Sequence, residues 1–70
     1  MKQVLSSMAG VVLVLLVELG EQVEVDQDVV MLESMKMHIP VQSTVNGTVV
    51  TVKAQEGDFV DEGDVLLELE

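Results

Sequence analysis

Apolar residues recur along this 70-residue chain in short runs broken by acidic residues, Gly and Gln. Runs of this length, rich in Val and Leu and bounded by turn residues, read as β-strands. Strands are expected near residues 3–7, 11–17, 22–25, 29–34, 37–42, 48–54, 59–61 and 65–69. No window sustains an apolar period of 3.6, so no helix of consequence is expected. Gly20-Glu21-Gln22-Val23 and Gly57-Asp58-Phe59-Val60 read as equivalent turns entering short strands, followed by the turns Asp26-Gln27-Asp28 and Gly63-Asp64. Gly63 is expected to take positive φ, and Asp26 is of a residue type that tolerates that region. Pro40 cannot donate to a ladder, which puts its strand at a sheet edge or turns its nitrogen away from a neighbour.

The pattern is also a repeat. Shifting the chain by 37 positions superimposes Gly10 on Gly47, Gly20 on Gly57, Val23 on Val60, Val30 on Leu67, Leu32 on Leu69 and Glu33 on Glu70. Two copies are too few for a solenoid, which needs three or more units. They imply one quasi-two-fold domain over residues 1–70, in which each half covers the apolar face of the other.

The repeat allows the halves to be compared. Val49, Val52 and Ala54 match Val12, Leu15 and Val17, all expected to face inward. The intervening Thr51, Lys53 and Glu56 match Val14, Leu16 and Leu19, so the first half is apolar where the second is polar. Two readings stay open: scattered surface hydrophobes, which are common, or a contiguous patch for a partner or for self-association.

Charge narrows the function. Thirteen acidic residues against three basic ones give a net charge of −10. That balance argues against nucleic acid, whose phosphates require Lys and Arg, and against anionic membrane surfaces. It suits an electropositive protein partner. With no cysteine, disulfides and thiolate metal sites are excluded. The run Val11–Val17 is shorter than the ~20 residues a membrane helix needs, and Glu18-Leu19-Gly20-Glu21 is no signal-peptidase site. A cytoplasmic location is the expectation.

The candidate chemistry lies at the midpoint. Lys36 is the only lysine or arginine between Lys2 and Lys53, and it stands between Met35 and Met37 after the run Val29-Val30-Met31-Leu32. A lone amine among soft apolar neighbours is a presented amine. To act as a nucleophile it must be exposed and free to lose its proton. The turn that holds it contains no Asn-Gly, so the flanking strands must hold its shape. Met35 and Met37 are read either as gap-filling hairpin residues or as recognition residues. Glu33 is read either as a contact for a modifying enzyme or as a solvated strand end like Glu70. His38 reads as a polar strand residue, and Asp58, Asp61, Glu62 and Asp64 as a solvated face. No nucleophile, base and pocket converge, so the chain is not expected to be an enzyme.

Glu33-Ser34-Met35-Lys36-Met37, with Val29–Leu32 before it and Ile39-Pro40 after it, resembles the modification site of biotinyl/lipoyl carrier domains. Gly47-Thr48-Val49 and the stretch Glu56–Leu66 are similar to the second half of that family, and the likeness runs from about Met8 to Glu70. In length the chain resembles the small free-standing biotin/lipoyl attachment proteins. The resemblance implies an all-β fold, a flattened barrel or sandwich of two four-stranded antiparallel sheets, with the modified lysine on a hairpin turn. It implies covalent attachment of biotin at Lys36 by a biotin ligase, which activates biotin as its adenylate. A role follows in shuttling a carboxyl group between biotin carboxylase and carboxyltransferase components. In the family, flanking methionines mark biotinyl domains, which favours biotin. Lipoate, attached by a lipoate ligase for acyl or one-carbon transfer, remains the alternative, as do dual modification and an unmodified interaction module of the same fold.

Overall fold

A computed structural model describes residues 2–70 of the chain. Eight strands follow in order: β1 (Lys2–Leu5), β2 (Gly10–Leu15), β3 (Gln22–Val23), β4 (Asp28–Ser34), β5 (Met37–Gln42), β6 (Gly47–Val52), β7 (Phe59–Val60) and β8 (Val65–Leu69). They form two four-stranded sheets in the orders β1-β8-β6-β3 and β5-β4-β2-β7. Every pairing is antiparallel. The expected all-β architecture of two four-stranded antiparallel sheets is therefore present. Among the described residues no helix is long and apolar enough to cross a membrane.

The expected strand ends need correction at several places. The strands expected at 11–17 and 48–54 end at Leu15 and Val52. Val17 and Ala54 beyond them are buried nonetheless, because apolar content reports burial and not ladder membership. The first strand ends at Leu5 rather than at residue 7. There Ser6 turns inward, and its hydroxyl donates to the Met8 carbonyl at 2.6 Å. The strands expected at 22–25 and 59–61 shrink to two residues each. The following turns begin early, closed by Gln27 N–H to the Glu24 carbonyl and Asp64 N–H to the Asp61 carbonyl. Pro40 lies on β5, an edge strand, as expected for a residue without an N–H.

The two halves interlock by exchanging their shortest strand. β3 of the first half pairs with β6 of the second, while β7 of the second half pairs with β2 of the first. A shift of 37 residues carries one sheet onto the other, and the hydrogen bonds go with it. Leu16 N–H donates to the Val29 carbonyl as Lys53 N–H does to that of Leu66; Gly20 N–H donates to the Val49 carbonyl as Gly57 N–H does to that of Val12. Between the sheets lies one core in which Val4 and Val41, Val12 and Val49, and Leu32 and Leu69 are fully buried equivalents. Its side chains are almost all Val and Leu, which suit a pleated surface packed on another.

Two buried polar residues complete the frame. Ser6 and Ser43 are equivalents, and each hydroxyl donates to the carbonyl two residues on, of Met8 and of Val45. The backbone around them also matches: Ser6 N–H donates to the Asp64 carbonyl and Ser43 N–H to that of Gln27. No buried side-chain polar atom among the described residues lacks a partner. These serines close the loops after β1 and β5, where the chain crosses between the sheets.

Candidate functional site

Lys36 occupies the tip of the hairpin between β4 and β5. The two strands pair in register from Asp28 opposite Gln42 to Ser34 opposite Met37, leaving a two-residue loop of Met35 and Lys36. Both loop residues have positive φ, 53° and 65°. Positive φ at both central positions defines the type I′ turn, whose twist matches that of the flanking strands. The turn normally uses Asn-Gly because a side chain in left-handed backbone costs about 1–2 kcal/mol per residue. Here Met and Lys are held in it by a long ladder on one side and a packed core below. Leu32 and Val41 are buried beneath the hairpin, so the strain is stored in a rigid mount.

This conformation projects both side chains away from the sheets. Met35 is 93% exposed and Met37 63%, and Lys36 is exposed between them. The gap-filling reading of the methionines is thereby corrected, since there is no core at the tip for them to fill. None of the side-chain hydrogen bonds among the described residues involves Lys36. Lys2, by contrast, donates from Nζ to the Asn46 carbonyl at 2.6 Å and to Asn46 Oδ1 at 3.1 Å. Of the two, Lys36 is the amine at liberty.

Glu33 pairs with His38 and with Val11, one row behind the turn, and is exposed. It is within the reach of any enzyme that engages the tip. Its surroundings equally match those of Glu70, exposed at the equivalent place. His38 is an exposed residue on the edge strand. Asp58, Asp61 and Asp64 serve the turns of the second half. Asp58 Oδ2 accepts from Gln55 N–H at 3.1 Å and Asp64 Oδ2 from Asp61 N–H at 2.9 Å.

Behind the turn, Gly10 fits against the end of β4. A Cβ there would stand 2.8 Å from the Glu33 carbonyl oxygen, so only glycine lets β2 approach the base of the hairpin. Two residues beside the tip escape inspection of the motif alone. Phe59, 65% exposed, pairs with Val11, which pairs with Glu33. The signal that could have found them is the repeat, since their equivalents are Gln22 and Thr48.

A single lysine stands at the apex of a strained, outward-pointing hairpin on a small two-sheet mount. Residues 2–69 match the family model described as "Biotin-requiring enzyme", that of the biotin/lipoyl attachment domain. The chain is 55% identical over 62 residues to a biotin/lipoyl attachment protein of Bacillus subtilis, a match covering 89% of this chain and 85% of that one. It is 46% identical to the dihydrolipoyllysine-residue acetyltransferase component of the Pseudomonas aeruginosa pyruvate dehydrogenase complex, over 87% of this chain and 11% of that protein. It is 43% identical to the human mitochondrial propionyl-CoA carboxylase alpha chain, over 93% of this chain and 9% of that protein. The crystal structure of Kluyveromyces lactis urea carboxylase contains a similar fold, with a TM-score of 0.89 and 26% identity over 99% of this chain and 6% of that one. The chain belongs to the biotin/lipoyl attachment family, which occurs in carboxylases and in lipoyl acyltransferases and implies a covalently attached biotin or lipoate.

Proposed function

We propose that Lys36 is biotinylated by a biotin ligase and that the chain carries a carboxyl group between biotin carboxylase and carboxyltransferase components in the cytoplasm. The observation that carries this reading is the two-residue turn that sets the Lys36 amine between two exposed methionines. The residues fit the group: an exposed amine is available for an amide bond, and its apolar flanks offer a shape a ligase can grip. In the attachment step the neutral Lys36 amine attacks the acyl carbonyl of biotinyl adenylate. The new C–N bond forms as AMP leaves, and the amine proton passes to solvent.

The attached biotin supplies the carboxyl-carrying chemistry. The chain supplies position, with no catalytic site of its own. β4 and β5 fix where the amine stands, Met35 and Met37 shape its surroundings, and Glu33 stands one row back for recognition. Tethering raises the cofactor's local concentration at each partner site.

Lipoate is the second reading, favoured by the 46% identity to a dihydrolipoyllysine-residue acetyltransferase component. The test is intact mass after reaction with biotin ligase and biotin, and separately with lipoate ligase and lipoate, with Lys36→Arg as control. One biotinyl adduct, absent from a folded Lys36→Arg protein, is the expected result. A lipoyl adduct would move the function to acyl transfer or dual use. No adduct from either ligase would sink the carrier reading.

A further inference from the structure

The outer faces of the two sheets differ at matched positions. On the sheet that carries Lys36, Phe59 and Val11 form one row with Glu33, and Val14, Met31 and Pro40 form the next. Leu16 continues the strip beyond β2 and is exposed. At the equivalent places on the other sheet stand Gln22, Thr48, Thr51, Glu68, Gln3 and Lys53. There Gln22 pairs with Thr48, and Glu68 with both Thr51 and Gln3. The backbones match, so neither strand propensity nor packing explains why one face is apolar and the other polar. The opposite sheet exposes Leu5 and Val50, singly and on strands separated by β8, whereas on the face that carries the lysine the apolar residues run together in adjacent rows.

Distance and charge say what covers the strip. A standard interface buries about 800 Å² per partner, a disc of roughly 16 Å radius. The Val14–Met31–Pro40 row lies three residues from the end of β4, or about 10 Å at strand rise. A protein that grips the Lys36 tip with an ordinary footprint on this side therefore covers the strip. Lys2 and Lys53 both belong to the opposite sheet side, on β1 and just after β6. Glu33 lies within the strip, in a chain of net charge −10. The occupant is then apolar at its centre and basic at its rim. A second copy of this chain would set one acidic surface on another.

We propose that the outer face of the β5-β4-β2-β7 sheet is the docking surface for the ligase that loads Lys36, reaching well beyond the hairpin. This deepens the attachment reading and rests on it. Each residue of the strip adds desolvated apolar contact to the ligase complex, so its loss raises KM. It leaves kcat unchanged, because the amine and its turn are untouched.

The second half of the chain supplies the substitutions. Val14→Thr with Met31→Glu transplants residues that an equivalent backbone already carries, and Phe59→Gln alone is the conservative control for folding. The experiment is steady-state biotinylation by biotin ligase with biotin and ATP, read as kcat and KM at low and high salt, with sedimentation of each protein. The expected result is a rise in KM of about tenfold for the pair and several-fold for Phe59→Gln, with kcat unchanged. KM of the wild type should also rise with salt, as a charged rim requires. Thr51→Val on the opposite face should leave KM unchanged. Wild-type kinetics in folded variants would overturn the docking surface while leaving attachment intact. So would a wild-type dimer dissociated by the substitutions without change in ligation. A wild type that takes up no biotin would overturn both readings.

Discussion

The two halves of this chain make the same strands, the same exchanged hydrogen bonds and the same buried core, and then differ at one end. In the first half, β4 and β5 are joined through Met35 and Lys36. In the second, the equivalent strands β8 and β1 share the same antiparallel ladder but are not consecutive, so no tight turn joins them. Only a continuous hairpin can hold two side chains in left-handed backbone, because both strands must be anchored to keep the turn from relaxing. The comparison separates what serves the mount, which is present twice, from what serves the site, which is present once. The type I′ turn, the exposed methionines and the apolar outer face all fall in the second class.

That division can be broken by substituting equivalents in pairs. Leu32 and Leu69 are both fully buried, and each Leu→Ala change should cost about 2–5 kcal/mol. Leu32→Ala should lie at the upper end and Leu69→Ala at the lower. Leu69 lies on β8, whose partner β1 is not joined to it by a turn, so neighbours can move into the cavity, whereas Leu32 is held in the hairpin ladder. Denaturant unfolding of the two variants checks this, and equal losses would show that the β1–β8 pair is as rigid as the hairpin.

A smaller effect is expected at the buried serines. Ser6→Ala and Ser43→Ala each strip a donor from a loop carbonyl and should each cost about 1–2 kcal/mol. Near-equal values would show that the repeat is energetic as well as geometric. The smallest change in stability should come at the turn and should carry the opposite sign. Asn tolerates positive φ, so Met35→Asn should stabilise the fold by about 1 kcal/mol. It should also lower the efficiency of biotinylation, because an exposed apolar flank is lost. If the two quantities rose together, the strain at Met35 would have no functional counterpart.

Much of this was legible along the chain because it is local. Alternation and turn residues located every strand within about two residues. Positive φ at Gly63 and Asp26 followed from residue type, and the structure gives 91° and 71°. Buried Val12, Val17, Val49 and Ala54 followed from the matched pattern of the two halves, and edge-bound Pro40 from the missing N–H. The buried serines did not. Ser6 and Ser43 look like loop residues, and only tertiary packing encloses them. The left-handed conformation of Met35 and Lys36 runs against their propensities, so composition could not announce it.

By itself the sequence determined the strand content, the twofold repeat, the place of the lone lysine and the acidity that limits its partners. Each of these is written in neighbouring residues or in a comparison at one offset. Tertiary structure alone decided that β3 and β7 cross to the opposite sheets, since two residues carry too little alternation to specify a partner. It alone decided that the tip is strained and its methionines exposed. It also gathered Phe59, Val11, Val14, Met31, Pro40 and Leu16 from four separate segments into one strip, because which side chains share a face depends on pairing between strands distant in the chain.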